Sequence, residues 1–202
     1  MSIDTVVFDV GNVLIRWDPR FLYRKLFAEE AAMERFLAEV CTDGWNLEQD
    51  RGRLWAEAVA ERVALFPQHE PLIRAYSERW HEMVPGEIEG TAAILRNLLA
   101  AGVPTYAITN FSTEKFAEAQ ARFPFLRDFR DVVVSGLEGL VKPDPAIYRV
   151  LLERNGLVAG RCLFIDDSEK NVRAAETVGM RAHHFRDAAT LAEELRELGL
   201  PA

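Results

Sequence analysis

The sequence predicts an α/β fold, a doubly wound parallel sheet with an inserted helical segment. Short apolar runs rich in β-branched and aromatic residues occur at 5–8 and 162–165, and such runs suit strands that are buried on both faces. In the second half of the chain, strand and helix patterns alternate, which is typical of a parallel sheet with right-handed crossovers. From about residue 18 to residue 84 no strand pattern occurs, so this segment is predicted to be helical.

The core elements can be assigned in chain order. The predicted strands cover 5–8, 103–108, 132–134, 162–165 and 182–185. The predicted helices between them cover 88–99, 116–123, 144–152 and 172–178. Ser112 and Asp144 fit the N-terminal caps of two of these helices. Thr190 and Glu193 fit a capping box at the start of the last helix.

The segment 16–84 is predicted to be a separate helical domain, inserted into a core made of 1–15 and 85–202. Apolar residues recur there at helical spacing in four places, and Pro85-Gly86 marks the return to the core. One polar stretch between these helices is predicted to be either a loop that contacts substrate or a surface turn. Its candidate substrate-binding residues are Trp45, Asp50, Arg51 and Gly52.

The composition excludes several classes of partner. The chain has 202 residues and a formal net charge of -8, which disfavours binding to nucleic acid or to an anionic membrane. No apolar run approaches the roughly 20 residues of a membrane helix, and no basic leader precedes the first strand, so a cytoplasmic protein is expected. Cys41 and Cys162 have no metal-ligand spacing and are expected to be reduced thiols in the core. The four histidines have no ligand spacing either and are interpreted as structural.

Polar side chains follow the predicted central strands, where ligands bind in open α/β sheets. Such carboxylates would repel one another, so a positive charge must lie among them. A site of oxygen ligands without His or Cys suits Mg²⁺, and a carboxylate beside that ion can attack phosphorus. The residues that we expect to meet at this edge are Asp9, Thr109, Asn110, Lys142, Asp166 and Asp167.

The polar residues expected at this edge lie in four short segments, Phe8-Asp9-Val10-Gly11-Asn12-Val13-Leu14, Ile108-Thr109-Asn110, Val141-Lys142-Pro143 and Phe164-Ile165-Asp166-Asp167. These segments resemble the motifs of the haloacid dehalogenase-like (HAD) hydrolase superfamily, and their order and spacing match across nearly the whole chain. The helical segment resembles the four-helix (type C1) cap of that superfamily. The pattern Asp-x-Gly-Asn-Val is similar to that of bacterial glucose-1-phosphatase-like members.

The resemblance implies a role for each matched residue. Asp9 would be the nucleophile and a metal ligand, and Gly11 would offer its carbonyl oxygen to the metal. Asp166 and Asp167 would be the metal-binding acids, with Asp167 the surer direct ligand. Thr109 would bind phosphate through its hydroxyl, with Asn110 beside it, and Lys142 would neutralise negative charge. Asn12 and Asn171 would support the loops of the site.

One position departs from the pattern. Most phosphatases of the superfamily carry a second Asp two residues after the nucleophile as general acid and base, and here that position is Gly11. We expect a substitute, with Asp18 and Asp50 as candidates, or a leaving group that needs little protonation, such as an anomeric oxygen. Arg16 and Trp17, with Asp18 next to them, are expected to line the pocket or to form a hinge.

The residues and the resemblance together predict Mg²⁺-dependent hydrolysis of a small phosphomonoester, with a sugar phosphate among the expected substrates. The reaction would proceed through an aspartyl phosphate on Asp9. One alternative is a 2-haloacid dehalogenase in which Asp9 attacks carbon without a metal. The adjacent acids Asp166 and Asp167 argue against it, because they would repel a carboxylate substrate. The other alternative is a protein that binds a phosphorylated ligand without turnover.

Overall fold

The structure is a computed structural model that describes residues 2–202. Five strands form one sheet in the order β3-β2-β1-β4-β5, and every neighbouring pair is parallel. The predicted fold class is therefore confirmed. The strands are β1 (Thr5–Phe8), β2 (Thr105–Thr109), β3 (Val132–Val134), β4 (Cys162–Asp166) and β5 (Arg181–His184). β2 starts later than predicted, after Pro104, which has no backbone N–H to donate to a sheet ladder.

Helices flank the sheet and fill the segment between β1 and the first crossover helix. In the inserted segment they are α1 (Arg20–Tyr23), α2 (Glu30–Glu39), α3 (Asp43–Asp50), α4 (Trp55–Leu65) and α5 (Glu70–Glu78). The later ones are α6 (Glu89–Ala100), α7 (Thr113–Arg122), α8 (Ser135–Glu138), α9 (Pro145–Asn155), α10 (Glu169–Thr177) and α11 (Ala188–Glu197). In the part of the chain that the structure describes, no helix has the length and apolar character needed to cross a membrane.

The helix α3 corrects the prediction of a loop or surface turn in the polar stretch. The Thr42 hydroxyl accepts a hydrogen bond from the Trp45 amide at 3.1 Å and so caps the helix. Trp45 and Gln49, four residues apart, lie on its buried face. The sequence shows no apolar repeat here, because only one of the two buried residues of the helix is apolar.

The start of α11 corrects a second prediction. The Asp187 side chain accepts a hydrogen bond from the Thr190 amide at 2.8 Å, so the cap lies three residues before Thr190. The capping box predicted from Thr190 and Glu193 is therefore wrong, since Asp187 already fills the capping position.

The inserted helices connect to the core through two neighbouring backbone segments. The Arg16 amide donates to the Gly86 carbonyl at 2.9 Å, and the Asp18 amide donates to the Met83 carbonyl at 3.0 Å. These bonds hold the outgoing and the returning chain side by side. We propose 16–84 as the cap domain on this basis and on the absence of strands between β1 and β2 in the described chain.

Apolar side chains cover both faces of the sheet. In β1, Val6 and Phe8 belong to one buried cluster and Val7 to the other, because successive strand residues point to opposite faces. The cluster that contains Phe8 also includes residues of the inserted helices. Cys41 and Cys162 are buried and unpaired, as predicted.

The topology fixes where a ligand site can form. The chain runs outward from β1 through β2 to β3 and then returns to β4 on the other side of β1. In doubly wound sheets, ligands bind at the carboxyl ends of the strands where the strand order reverses. The crevice therefore lies beyond the ends of β1 and β4.

Candidate active site

Three charged side chains meet at this crevice. Asp9 follows β1 directly, and its amide donates to the Ile165 carbonyl at 2.8 Å, which holds it against the end of β4. The Lys142 Nζ lies 2.8 Å from Asp9 Oδ1 and 2.7 Å from Asp166 Oδ2. All three residues are buried. The structure thus brings together residues that are far apart in sequence around one ammonium group.

Asp166 is held by hydrogen bonds on both carboxylate oxygens. Its Oδ1 accepts from the Ser168 amide at 2.8 Å, and both oxygens lie 3.0 Å from the Asn171 Nδ2. Asn171 therefore contacts the carboxylate at the end of β4. Asp166 is fully buried and Asp167 is exposed. The Asp167 carboxylate is thus the more accessible of the two.

The carboxylates of Asp9, Asp166 and Asp167 form a cluster that can hold a cation. One oxygen from each lies within 4.8 Å of the others. Burial raises the pKa of Asp9 to about 7; Lys142 lowers it, while Asp166 and Asp167 raise it further. Partial desolvation and the charge of Asp166 also raise the pKa of Asp167. The cluster is short of positive charge, and an oxygen-only donor set with a negative surplus fits Mg²⁺.

Lys142 is held in its charged form. Burial lowers the pKa of its ammonium, but Asp166 and Asp9 raise it more, so that its pKa lies above the ordinary value. The Lys142 amide donates to the Asn110 Oδ1 at 2.8 Å, and the Asn110 Nδ2 donates to the Lys142 carbonyl at 3.1 Å. Asn110 thus fixes the backbone that carries the lysine. Thr109, buried at the end of β2, precedes it.

The loop after β1 orients the carboxylate of Asp9 and leads into the cap. The Val10 amide donates to Asp9 Oδ1 at 2.7 Å, the same oxygen that Lys142 contacts. Asn12 has a φ of 55°, a left-handed conformation that Asn tolerates, and its Oδ1 accepts from the Trp17 amide at 2.9 Å. Asn12 therefore fixes the path of the chain from the core towards the inserted helices.

A cavity of about 200 Å³ lies above this cluster, between the core and the inserted helices. Its walls are partly acidic and amide-bearing and partly aromatic. Its lining residues are Asp9, Gly11, Asn12, Trp17, Asn46, Asp50, Trp55, Trp80, Asn110, Phe111, Ser112, Lys115 and Asp167.

Two of the predicted substrate-binding residues, Trp17 and Asp50, line the cavity. The other five do not. Arg16 and Asp18 line a separate surface depression, and Trp45 is buried among the cap aromatics, 5.5 Å from the Trp55 ring. The prediction that these residues contact substrate is not supported for Arg16, Asp18, Trp45, Arg51 and Gly52.

The positions of Asp18, Arg51 and Gly52 have local explanations. The Asp18 carboxylate accepts from the Arg20 amide at 2.8 Å and pairs with the Arg20 guanidinium at 3.3 Å. Arg51 follows α3 on the exposed surface. Gly52 has a φ of 107°, and a Cβ there would lie 2.9 Å from the Gly136 carbonyl oxygen, so close packing of the backbone requires glycine.

Several cavity residues were not identified from the sequence. They are Trp55, Trp80, Phe111, Ser112 and Lys115. Asn46, which also lines the cavity, lies in the polar stretch for which the sequence predicts either contact with substrate or a surface turn. Lys115 is buried in the first turn of α7, where a cation opposes the helix dipole, and this unfavourable position is the signal that could have indicated a function. The Ser112 hydroxyl accepts from the Trp55 indole N–H at 2.8 Å, a contact between the cap and the core that pattern analysis does not reveal.

Known proteins similar to this chain include two that are phosphatases by name, together with a protein named CbbY. A phosphoglycolate phosphatase of Pectobacterium atrosepticum is 33% identical over 196 residues, covering 90% of this chain and 79% of that protein. The protein CbbY of Cereibacter sphaeroides is 28% identical over 98% of this chain and 94% of its own length. A sesquiterpene phosphatase of Aspergillus oryzae is 25% identical over 95% of this chain and 94% of its own length.

Solved structures share the fold. A HAD family enzyme of Bacteroides thetaiotaomicron superposes with a TM-score of 0.75 and 21% identity, covering 97% of this chain and 100% of the other. A complex of that enzyme with magnesium and inorganic phosphate has a TM-score of 0.69, with 92% and 95% of the two chains covered.

The match to a protein family covers most of the chain. The description of that family is haloacid dehalogenase-like hydrolase, and the match extends over residues 3–179, which include β1, β2, β4 and the whole of the site at their ends. The chain belongs to the haloacid dehalogenase-like hydrolase family.

Proposed function

We propose that this protein is a Mg²⁺-dependent phosphatase that hydrolyses a small phosphomonoester through an aspartyl phosphate on Asp9. The observation that carries the proposal is the cluster of three carboxylates within 4.8 Å of one another, with Lys142 contacting two of them. The carboxylates would hold a cation, and this cation together with Lys142 would attract an anionic substrate. The phosphatase names of similar chains, and the magnesium and phosphate bound by a structural relative, support the same activity.

The charges of the site suit attack on a phosphate ester. Asp9 and Asp167 would hold Mg²⁺ together with the Gly11 carbonyl, and the bound ion would withdraw negative charge from the phosphoryl oxygens. Asp166 has both oxygens engaged by the protein and fixes Lys142. The Lys142 ammonium offsets the charge that develops on the phosphoryl group, an effect worth about 3–4 kcal/mol for a single donor in other enzymes.

The nucleophile is held in one orientation. Asp9 Oδ1 accepts from the Val10 amide and from Lys142, while Oδ2 accepts no hydrogen bond from the described residues. Attack by an oxygen of Asp9 forms a bond to phosphorus as the ester P–O bond breaks. A water molecule then attacks the same phosphorus and releases Asp9 and inorganic phosphate.

The cavity indicates the size and chemistry of the organic part of the substrate. A volume of about 200 Å³ is below the roughly 300–1,000 Å³ of pockets that hold drug-sized ligands, so a small metabolite is favoured. Trp55, Trp80 and Phe111 offer apolar faces, and Asn46 and Lys115 offer polar groups. Flat aromatic faces next to amide and ammonium groups suit a hydroxylated ring, and we propose a sugar phosphate as the substrate class.

The activity can be tested with a panel of phosphate esters that includes a sugar phosphate, a phosphorylated hydroxy acid and a prenyl phosphate. Release of inorganic phosphate is expected with Mg²⁺, loss of activity with EDTA, and recovery when Mg²⁺ is restored. Asp9→Asn should reduce kcat by at least about 10⁴-fold, as loss of a nucleophile does in other enzymes. Acid quenching of a single turnover with phosphorus-labelled substrate should leave label on the wild-type protein and none on Asp9→Asn.

The alternatives give different results in the same experiments. A 2-haloacid dehalogenase would release halide from a haloacid in EDTA and would leave phosphate esters intact. A non-catalytic protein would bind phosphorylated ligands without releasing phosphate from any member of the panel. Either result would contradict the proposed function. The exposed Lys170, changed to Met, serves as a control that should retain wild-type turnover.

A further inference from the structure

The site has empty space at the position where the family resemblance places a second Asp. A Cβ built on Gly11 would meet no heavy atom within 4 Å. Gly11 lines the cavity, so this space opens towards the substrate. Position 11 therefore supplies no carboxyl group to protonate the oxygen that leaves when the ester bond breaks.

One acidic residue of the cap lines the same cavity. Among the described residues that line it, the acidic ones are Asp9, Asp50 and Asp167. Asp9 and Asp167 belong to the carboxylate cluster, which leaves Asp50, at the end of α3, as the acid that has no part in cation binding. Lys115, the other titratable group from outside the cluster, is paired with Glu118 at 2.5 Å.

Asp50 is held in place by contacts with its own helix and with the core. The Asn46 Nδ2 donates to Asp50 Oδ2 at 3.1 Å, one helical turn away. The Ser135 hydroxyl donates to the Asp50 carbonyl at 2.5 Å and accepts from the Phe111 amide at 2.8 Å. A chain of hydrogen bonds thus connects the Asp50 backbone to the loop that follows Asn110.

We propose that Asp50 is the general acid and base of the reaction and takes the role for which Gly11 has no side chain. The assignment rests on the proposed phosphatase function. Asp18, the other candidate from the sequence, is engaged by Arg20 and does not line the cavity. Burial raises the pKa of Asp50 to about 7, with the Ser112 backbone amide lowering it, and an acid of this pKa can give and take a proton near neutral pH.

The proton balance involves two steps. When Asp9 attacks phosphorus, the electron pair of the breaking P–O bond goes to the ester oxygen, and the Asp50 carboxyl group gives that oxygen its proton to form the alcohol. The Asp50 carboxylate then takes a proton from the water molecule that attacks the aspartyl phosphate. Phosphate leaves, Asp9 is regenerated as a carboxylate, and Asp50 is protonated again.

The test is the dependence of kcat/KM on the leaving group, measured with Mg²⁺ for p-nitrophenyl phosphate, a series of less acidic aryl phosphates and an alkyl phosphate. Asp50→Asn should lower kcat/KM for the alkyl phosphate by about 10²–10⁴-fold, the usual contribution of a general acid. The loss for p-nitrophenyl phosphate should be less than about tenfold, because nitrophenolate leaves without a proton. When log kcat/KM is plotted against the pKa of the leaving group, the slope should therefore be steeper for Asp50→Asn than for the wild type.

Two further variants sharpen the result. Glu48→Gln removes an exposed carboxylate of the same helix and should leave the slope unchanged. The double variant Gly11→Asp/Asp50→Asn places a carboxyl group in the open space at Gly11. Its kcat/KM for the alkyl phosphate should be at least about tenfold higher than that of Asp50→Asn. Thermal unfolding of Asp50→Asn at or above the wild-type temperature would show that the fold is intact.

Several outcomes would overturn the assignment. An equal loss on all leaving groups would make Asp50 a positioning residue, and no loss on the alkyl phosphate would exclude it from the chemistry. A wild-type protein that hydrolyses no phosphate ester would overturn the proposed function and this assignment with it. Activity of the wild type on p-nitrophenyl phosphate separates that failure from a failure of the assignment alone.

Discussion

The two regions that line the cavity, the edge of the sheet and the helix α3 of the cap, hold their polar groups in different ways. At the sheet edge, Lys142 contacts Asp9 and Asp166 inside the protein, and the carboxylate oxygens of Asp166 are fully engaged. On α3, the half-buried Asp50 carboxylate accepts hydrogen bonds from neutral donors, the Asn46 side-chain amide and the Ser112 backbone amide. The edge is a closed network of charges, and the helix presents a group that is free to exchange a proton.

This difference separates two tasks of a phosphatase. Phosphorus chemistry needs charges at fixed positions, and strand ends in hydrogen-bond register provide them. Treatment of the leaving group depends on the organic part of the substrate, and a cap can place different side chains there without disturbing the sheet. In this chain the cap has, in our proposal, also taken over proton transfer.

The largest effect that would test the comparison is expected for Lys142→Met. Removing the ammonium leaves the buried Asp9 and Asp166 carboxylates without their compensating charge. Breaking a buried ion pair from one side typically costs about 3–5 kcal/mol of unfolding free energy. We expect a loss of that size in urea unfolding with EDTA present, together with loss of phosphatase activity.

The exposed Lys170 gives a matched control, since Lys170→Met changes the same side chain on the surface of α10 and should alter unfolding by less than about 0.5 kcal/mol. Equal urea midpoints for Lys142→Met and Lys170→Met would show that the edge is not the closed charge network described above.

A smaller effect, of opposite sign, is expected for Asp50→Asn. Because burial raises the pKa of Asp50 to about 7, from an ordinary value of 3.8, the folded protein holds a proton that the unfolded chain releases. The unfolding free energy contributed by Asp50 is therefore fully present below pH 4 and falls as the pH rises towards 7. The gain of the variant over the wild type should be roughly 3 kcal/mol larger at pH 8.5 than at pH 4.5.

Urea unfolding at several pH values in EDTA would measure this gain. Glu48→Gln, on the exposed side of the same helix, should show no gain that grows with pH. A variant that is more stable and yet less active is the signature of a residue retained for function at a cost in stability. A destabilised Asp50→Asn at pH 8.5 would indicate instead that the carboxylate is a structural partner in the cap.

The sheet edge could be predicted from sequence for a physical reason. Each chemical group there directly follows a short apolar strand or lies in the loop after one, so the position of Asp9 or Asp166 is determined once the strand is recognised. Parallel pairing then brings the strand ends together without further information. The ordered motifs therefore indicated the family and the cluster.

The cap wall could not be predicted in the same way. In α3 the face that packs inwards includes the polar Gln49 beside Trp45, so no apolar repeat marks the helix. Which side chains reach the cavity depends on how α3 packs against the core, through contacts such as the one between Ser135 and Asp50. Lys115 lies in a helix whose pattern is otherwise that of a surface helix, and its burial follows from this packing.

The smallest effect is expected for Asp18→Asn, which tests whether the cap contributes one acid or two. Asp18 lies close to Asp9 in sequence, but its carboxylate turns towards α1, where it accepts from the Arg20 amide at 2.8 Å. Asn can accept the same hydrogen bond, and exposed ion pairs such as Asp18–Arg20 are worth at most about 1 kcal/mol. We therefore expect less than about 1 kcal/mol of destabilisation and kcat/KM on the alkyl phosphate within about twofold of the wild type. A leaving-group slope as steep as that expected for Asp50→Asn would move the proton-transfer role to the segment that joins core and cap, because only a group that touches the departing oxygen can change that slope.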